Sequence, residues 1–161
     1  TMTSVGARGT APFGRKELLG KVWIADFIFT RCAGPCPMLS TRLAALAKEL
    51  PPSVGLLTVG VDSEGDTPER LRAYAKRYGA QAERWVFLRG THAETYNLLY
   101  AGFRLPLSVN PSAPDEERAI HSTRFVLVDK NGGIYGYYDG LSDSDNAALA
   151  RDARRLLEVG S

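Results

Sequence analysis

Cysteine is scarce in this chain: two among 161 residues, alongside two histidines, two methionines and two tryptophans. Two cysteines exclude a scaffold built on disulfides. Long hydrophobic runs are missing as well. Nothing reaches the ~18–20 consecutive apolar residues that a bilayer-spanning helix needs. An excess of one charge sign is also lacking. Twenty Lys and Arg stand against 18 Asp and Glu, a formal net charge of +2. The two signs are interspersed, so no basic stripe points to nucleic acid or to an anionic membrane surface. The opening stretch, residues 1–14, has no charged end followed by an apolar run and does not read as a signal peptide.

What is present is ordinary globular material. Hydrophobic residues make up 44% and charged residues 24%, and the length suffices to bury a core. No break in composition marks a second domain, so the chain reads as one domain over residues 1–161. Residues 1–19 are poorly patterned, with a turn around Pro12 and a helical turn over 15–19. Residues 22–29, Val-Trp-Ile-Ala-Asp-Phe-Ile-Phe, form a near-continuous apolar run and predict a buried central strand. Apolar residues at helical spacing predict a helix over 36–50, with Pro37 in its first turn. A buried strand follows over 54–62 and a polar loop over 62–66. A helix then runs from Thr67 to Tyr78, with Gly79 as the residue that ends it.

Further on, a strand over 85–88 precedes a helix over 91–102, and the proline-bearing stretch 105–118 reads as a loop. Strands over 125–128 and 134–138 flank Asn131-Gly132, a strong hairpin signal. A final helix occupies 142–159. The expected order is β-α-β-α-β-α-β-β-α, an α/β fold with a central mixed sheet flanked by helices.

Both cysteines fall in one segment, Thr30-Arg31-Cys32-Ala33-Gly34-Pro35-Cys36-Pro37, between a buried strand and a helix. Helix N-termini offer unpaired N–H groups and a positive dipole end, which favour thiolate over thiol. Arg31 adds a positive charge beside Cys32. Three intervening residues allow both sulfurs to converge, on one metal ion or into a disulfide. Sulfur alone does not separate the two, and two inert buried cysteines are the plain alternative. His92 opens a helix in polar surroundings and reads as solvent-facing. His121 lies just before a strand, after a long irregular loop, where sites form in such folds. Two thiolates and an imidazole make a soft, low-coordination set that suits copper better than four-ligand structural zinc. Asp26, an acid within an apolar strand, must be paired, protonated or at an accessible end. It is either a proton acceptor for the cysteines or the partner of a basic neighbour. Asp62, Glu64 and Asp66 read as a solvated loop that caps the following helix, in preference to a hard-cation site.

At this point three motifs in order resemble those of the Sco (SenC/PrrC) family. Thr30-Arg-Cys32-Ala-Gly-Pro-Cys36-Pro resembles its Thr-x-Cys-Pro-x-x-Cys-Pro segment, with Ala33 where the family commonly has Pro. Val61-Asp62-Ser-Glu-Gly-Asp66-Thr67-Pro68 resembles its Val-Asp-Pro-x-x-Asp-Thr-Pro segment. His121-Ser122-Thr123 is similar to its His-Ser-Thr strand. The family's upstream Phe-x-Leu strand has no clear counterpart before Gly20, so its front hairpin is expected to be truncated or rebuilt.

The resemblance implies a thioredoxin-like fold. It also implies that Cys32, Cys36 and His121 bind Cu(I) and Cu(II), and that the cysteines form a reversible disulfide. The implied role is assembly of the CuA centre of cytochrome c oxidase, by copper delivery or thiol reduction of the target. The partner would be oxidase subunit II or another copper chaperone. The protein would be a monomer in the bacterial periplasm, tethered by an anchor that this chain does not contain, or less readily in the mitochondrial intermembrane space. That makes a metallochaperone in preference to an enzyme. The main rival is a thiol–disulfide oxidoreductase of an extracytoplasmic compartment, with Cys32 and Cys36 as its redox pair and no physiological copper.

Overall fold

The computed structural model describes residues 2–6, 9–28, 30, 35–62, 64–81, 84–98, 103 and 124–158. Seven strands form one sheet: β1 (Met2–Gly6), β2 (Gly9–Phe13), β3 (Val22–Ile28), β4 (Val54–Gly60), β5 (Trp85–Arg89), β6 (Arg124–Val128) and β7 (Ile134–Asp139). Five helices join them: α1 (Arg15–Leu18), α2 (Pro35–Glu49), α3 (Pro68–Arg77), α4 (His92–Asn97) and α5 (Asp143–Glu158). The sheet order is β2-β1-β5-β4-β3-β6-β7. β3, β4 and β5 run parallel. β1 and β6 flank this trio antiparallel, and β2 and β7 close the edges.

The parallel trio carries the continuous apolar runs, and every residue of β3 and β4 is buried. The two successive crossovers from β3 to β4 and from β4 to β5 put α2 and α3 on one face. There the Ser40 and Tyr74 hydroxyls share a hydrogen bond of 2.5 Å. α5 lies beside α2, joined to it by Arg42–Asp143 at 2.5 Å. Side chains alternate along a strand, so Trp23 faces the other way. Its indole N–H donates to Leu18 O at 3.0 Å, and Phe13 meets its ring edge-on at 5.9 Å.

α2 is held at its far end chiefly by Arg84, with Arg154 donating to Glu49 O at 3.3 Å. The Arg84 guanidinium donates to the carbonyls of Ala47, Leu50, Pro51 and Val54. That satisfies carbonyls that a helix terminus leaves open. The expected end of α3 is also present: Tyr78 is the cap and Gly79 follows at φ +69°, a left-handed conformation that favours glycine.

The front of the chain differs from expectation. Residues 9–13, read as containing a turn, form β2, which pairs with β1, and β1 pairs with β5. The hairpin is thus present. Its strands are short and glycine-bearing, with Met2, Val5 and Phe13 buried, and Pro12 is tolerated because β2 is an edge strand. The helix expected over 91–102 is described only as far as Leu98. The loop expected over 105–118 lies outside the described residues.

Candidate metal centre

Three connections of the fold have their described ends at one end of the sheet. β3 ends at Ile28 and α2 begins at Pro35, so the segment between them, which carries Cys32, leaves and re-enters here. The loop after β4 is tied to the same end, because Val61 N–H donates to Ile28 O at 2.8 Å. β6 runs antiparallel to β3 with Ala25 opposite Val126, so its first residue, Arg124, lies level with the end of β3. Cys36 is the second residue of α2. Cys32 and His121 lie outside the described residues, as do the side chains of Cys36 and His92. What the structure supplies is the frame around them. The sequence positions of Cys32, Cys36 and His121 attach to three elements that meet at this end.

That frame favours anions. The first four N–H groups of a helix have no partner within it. In α2 two of the first four residues are Pro35 and Pro37, which leaves Cys36 and Met38 as the donors, and no acidic residue occupies the first turn. The first turn of α2 thus brings no carboxylate of its own to the positive end of the helix, an arrangement that favours thiolate. A notch of about 220 Å³ next to Thr30 is lined by Arg70, Tyr74 and Arg77. Thr30, two residues ahead of Cys32 in sequence, shares this notch with both arginines.

Asp26 lies behind this end on the face covered by α2 and α3. Its register partner is Thr58, whose own partner Phe87 meets the Tyr74 ring of α3. The Trp85 indole N–H donates to Thr58 Oγ1 at 2.8 Å, so the one Thr58 hydroxyl proton goes to Asp26 Oδ1 at 2.5 Å. Asp26 Oδ2 has no partner and the residue is fully buried. An isolated buried carboxylate is costly, and burial pushes the Asp26 pKa up to about 7. The basic partner allowed for in the sequence does not exist among the described residues. Burial therefore biases Asp26 toward its protonated form below about pH 7.

The acidic loop also departs from its reading. Asp66 is fully buried, not solvated. Its Oδ1 accepts from the N–H and hydroxyl of Thr30, at 2.6 and 2.8 Å, and its Oδ2 accepts from Asp62 N–H at 2.9 Å. The cap of α3 is Thr67, whose Oγ1 accepts from Arg70 N–H at 3.3 Å. Both Asp66 oxygens are thus engaged by the chain itself, and no cluster of three His, Cys, Asp or Glu suited to a metal occurs among the described residues. Sequence reasoning missed Asp66 because its partner is 36 residues away. The one available signal was its place in the second family-like motif.

Comparison with known proteins gives the same frame a lineage. The SCO1/SenC family model matches residues 5–158. A SCO1/SenC family lipoprotein from Bacillus anthracis str. Ames is 32% identical and superposes with a TM-score of 0.83, covering 98% of this chain and 94% of that one. BsSco, a member of the Sco family of cytochrome c oxidase assembly proteins in which a disulfide switch was identified, is 26% identical with a TM-score of 0.79, over 98% and 92% of the two chains. The SCO1 protein homolog of Bacillus subtilis (strain 168) is 29% identical over 143 residues, 86% of this chain and 72% of that protein. The fold is thioredoxin-like, as the motifs implied. Having that fold and that match over nearly its whole length, the chain belongs to the SCO1/SenC family.

Proposed function

We propose that this protein carries copper as cargo on Cys32, Cys36 and His121 and serves the assembly of the CuA centre of cytochrome c oxidase. The observation that carries this reading is the attachment of all three residues to elements that meet at one end of the sheet, in a chain of this family. The donor set fits copper: two soft thiolates suit Cu(I), and an imidazole extends the set to Cu(II). The first turn of α2, free of acidic residues, supports thiolates, and Arg70 and Arg77 line the notch beside Thr30. The proposed setting is the outer side of a bacterial membrane, with subunit II or a copper chaperone as partner.

One specific observation favours thiol reduction as a second reading. A disulfide switch is reported for BsSco, 26% identical to this chain. In that reaction one thiolate attacks a partner disulfide and displaces the partner's first thiolate. The second cysteine then attacks the mixed disulfide and releases the partner's other thiolate. This pair loses two electrons and the partner gains them.

The two readings separate on adding Cu(II) to the reduced protein without oxygen. A lasting 1:1 thiolate-to-copper charge-transfer band, absent in Cys32→Ser, supports copper carriage. Rapid bleaching, with two Cu(II) reduced for each disulfide formed and no metal retained, supports the reductant. Within the copper reading, His121→Ala is expected to weaken Cu(II) binding more than Cu(I) binding, because two thiolates still hold Cu(I). Competition titrations in both oxidation states check this, and equal losses would contradict the division of roles.

A further inference from the structure

We propose that Asp66 is a positioning residue for the copper site: through Thr30 it fixes the chain two residues ahead of Cys32. The inference rests on the copper reading for its metal-dependent part only. Three donors converge on the Asp66 carboxylate, and two of them belong to Thr30, at 2.6 and 2.8 Å. The third, Asp62 N–H, belongs to the loop after β4. The carboxylate therefore bonds the segment that carries Cys32 to a neighbouring loop.

That loop is itself fixed from behind. Asp66 N–H donates to Asp62 O at 2.8 Å, and Arg89 Nε of β5 donates to Asp66 O at 3.0 Å. Room for the carboxylate exists because residue 60 is glycine. A Cβ there would lie 2.9 Å from Asp66 Cβ and 3.0 Å from Oδ2. α3 takes nothing from this carboxylate, since Thr67 caps it. Hydrogen bonds to an ionised acceptor are short and about twice as strong as neutral ones. Burial pushes the Asp66 pKa up to about 6, so the acceptor is charged at neutral pH.

The test uses the full chain with Thr30→Val, Thr30→Ser, Asp66→Asn and the Thr30→Val/Asp66→Asn double variant. Val removes one donor and keeps the backbone bond; Ser keeps both. Asn sets an amide N–H₂ against at least one of the donors. Outer-shell changes of this kind cost about 10–100-fold in metal affinity. Thr30→Val is expected to weaken Cu(II) binding by that factor and to shift the charge-transfer maximum. Thr30→Ser should retain the wild-type band and affinity. Asp66→Asn should lose at least as much as Thr30→Val, and the double variant little more than Asp66→Asn alone, because the two residues act through one contact.

Wild-type affinity and an unshifted band in Thr30→Val would overturn the proposal. Should Asp66→Asn fail to fold, Thr30→Val and Thr30→Ser carry the test alone, as substitutions at a half-buried loop position. Should the wild-type chain bind no copper, the copper reading fails by itself. The dithiol–disulfide potential then decides: a shift in Thr30→Val that Thr30→Ser does not show supports the clamp, and identical potentials overturn it.

Discussion

Asp26→Asn is expected to make the protein more stable above neutral pH and to leave it nearly unchanged near pH 4. Burial raises this carboxyl to about 7 from 3.8. The folded chain therefore holds a proton that the unfolded chain releases throughout that window. Stability is full below about pH 4, falls as pH rises, and levels off above about 7. A shift of this size corresponds to on the order of 4 kcal/mol. Asparagine keeps an acceptor for the Thr58 hydroxyl and does not ionise, so its contribution is flat with pH. Asp66, raised to about 6, slopes the same way in both proteins and cancels in the difference. Urea unfolding of the two proteins at pH 4.5 and pH 8 checks the sign. The gap should widen with pH, and a gap independent of pH would show that Asp26 does not hold its proton in the folded chain.

The second large effect concerns the sulfurs. Cys36→Ser is expected to abolish the stoichiometric Cu(II) complex while leaving thermal stability close to wild type. A serine hydroxyl stays protonated at neutral pH and is a hard, neutral donor, whereas copper in such a set depends on thiolate. Cys36 sits in the first turn of α2, and that helix is held by the buried Leu39, Leu43, Leu46 and Leu50 and by Arg84 at its far end. Circular dichroism melting and copper titration on the same sample separate the two properties. A variant that still retains one equivalent of Cu(II) would remove Cys36 from the site.

Much of this arrangement was legible in the residues. β3 and β4 announced themselves because strands buried on both faces must be apolar throughout, and 22–28 and 54–60 are nearly so. α2 and α5 followed from their periodic leucines, and the β6–β7 hairpin from Asn131-Gly132. That turn is closed by Asp129 Oδ1, which accepts from the N–H groups of Asn131 and Gly133. The N-terminal hairpin was not legible. Its strands mix Thr, Ser, Gly and Pro12 with the buried Met2, Val5 and Phe13, and pairing of β1 with β5 gives them a place. Nor was the burial of Asp66, which in sequence looks like any acid between glycine and threonine. Its environment is made by Thr30, 36 residues earlier. The cysteine segment stands out in the sequence by chemistry and not by periodicity, and residues 31–34 lie outside the described residues. Asp26 was legible as an anomaly, and its full burial, with one carboxylate oxygen left without a partner, is what raises its pKa.

The most direct test of the central claim is X-ray absorption at the copper edge on the reduced wild-type protein loaded with one equivalent of Cu(II), beside His121→Ala. The account predicts two sulfur scatterers and at least one imidazole in the wild-type first shell, with the imidazole signal lost in His121→Ala and the sulfurs kept. A shell of nitrogen and oxygen alone, or one unchanged in His121→Ala, would contradict it.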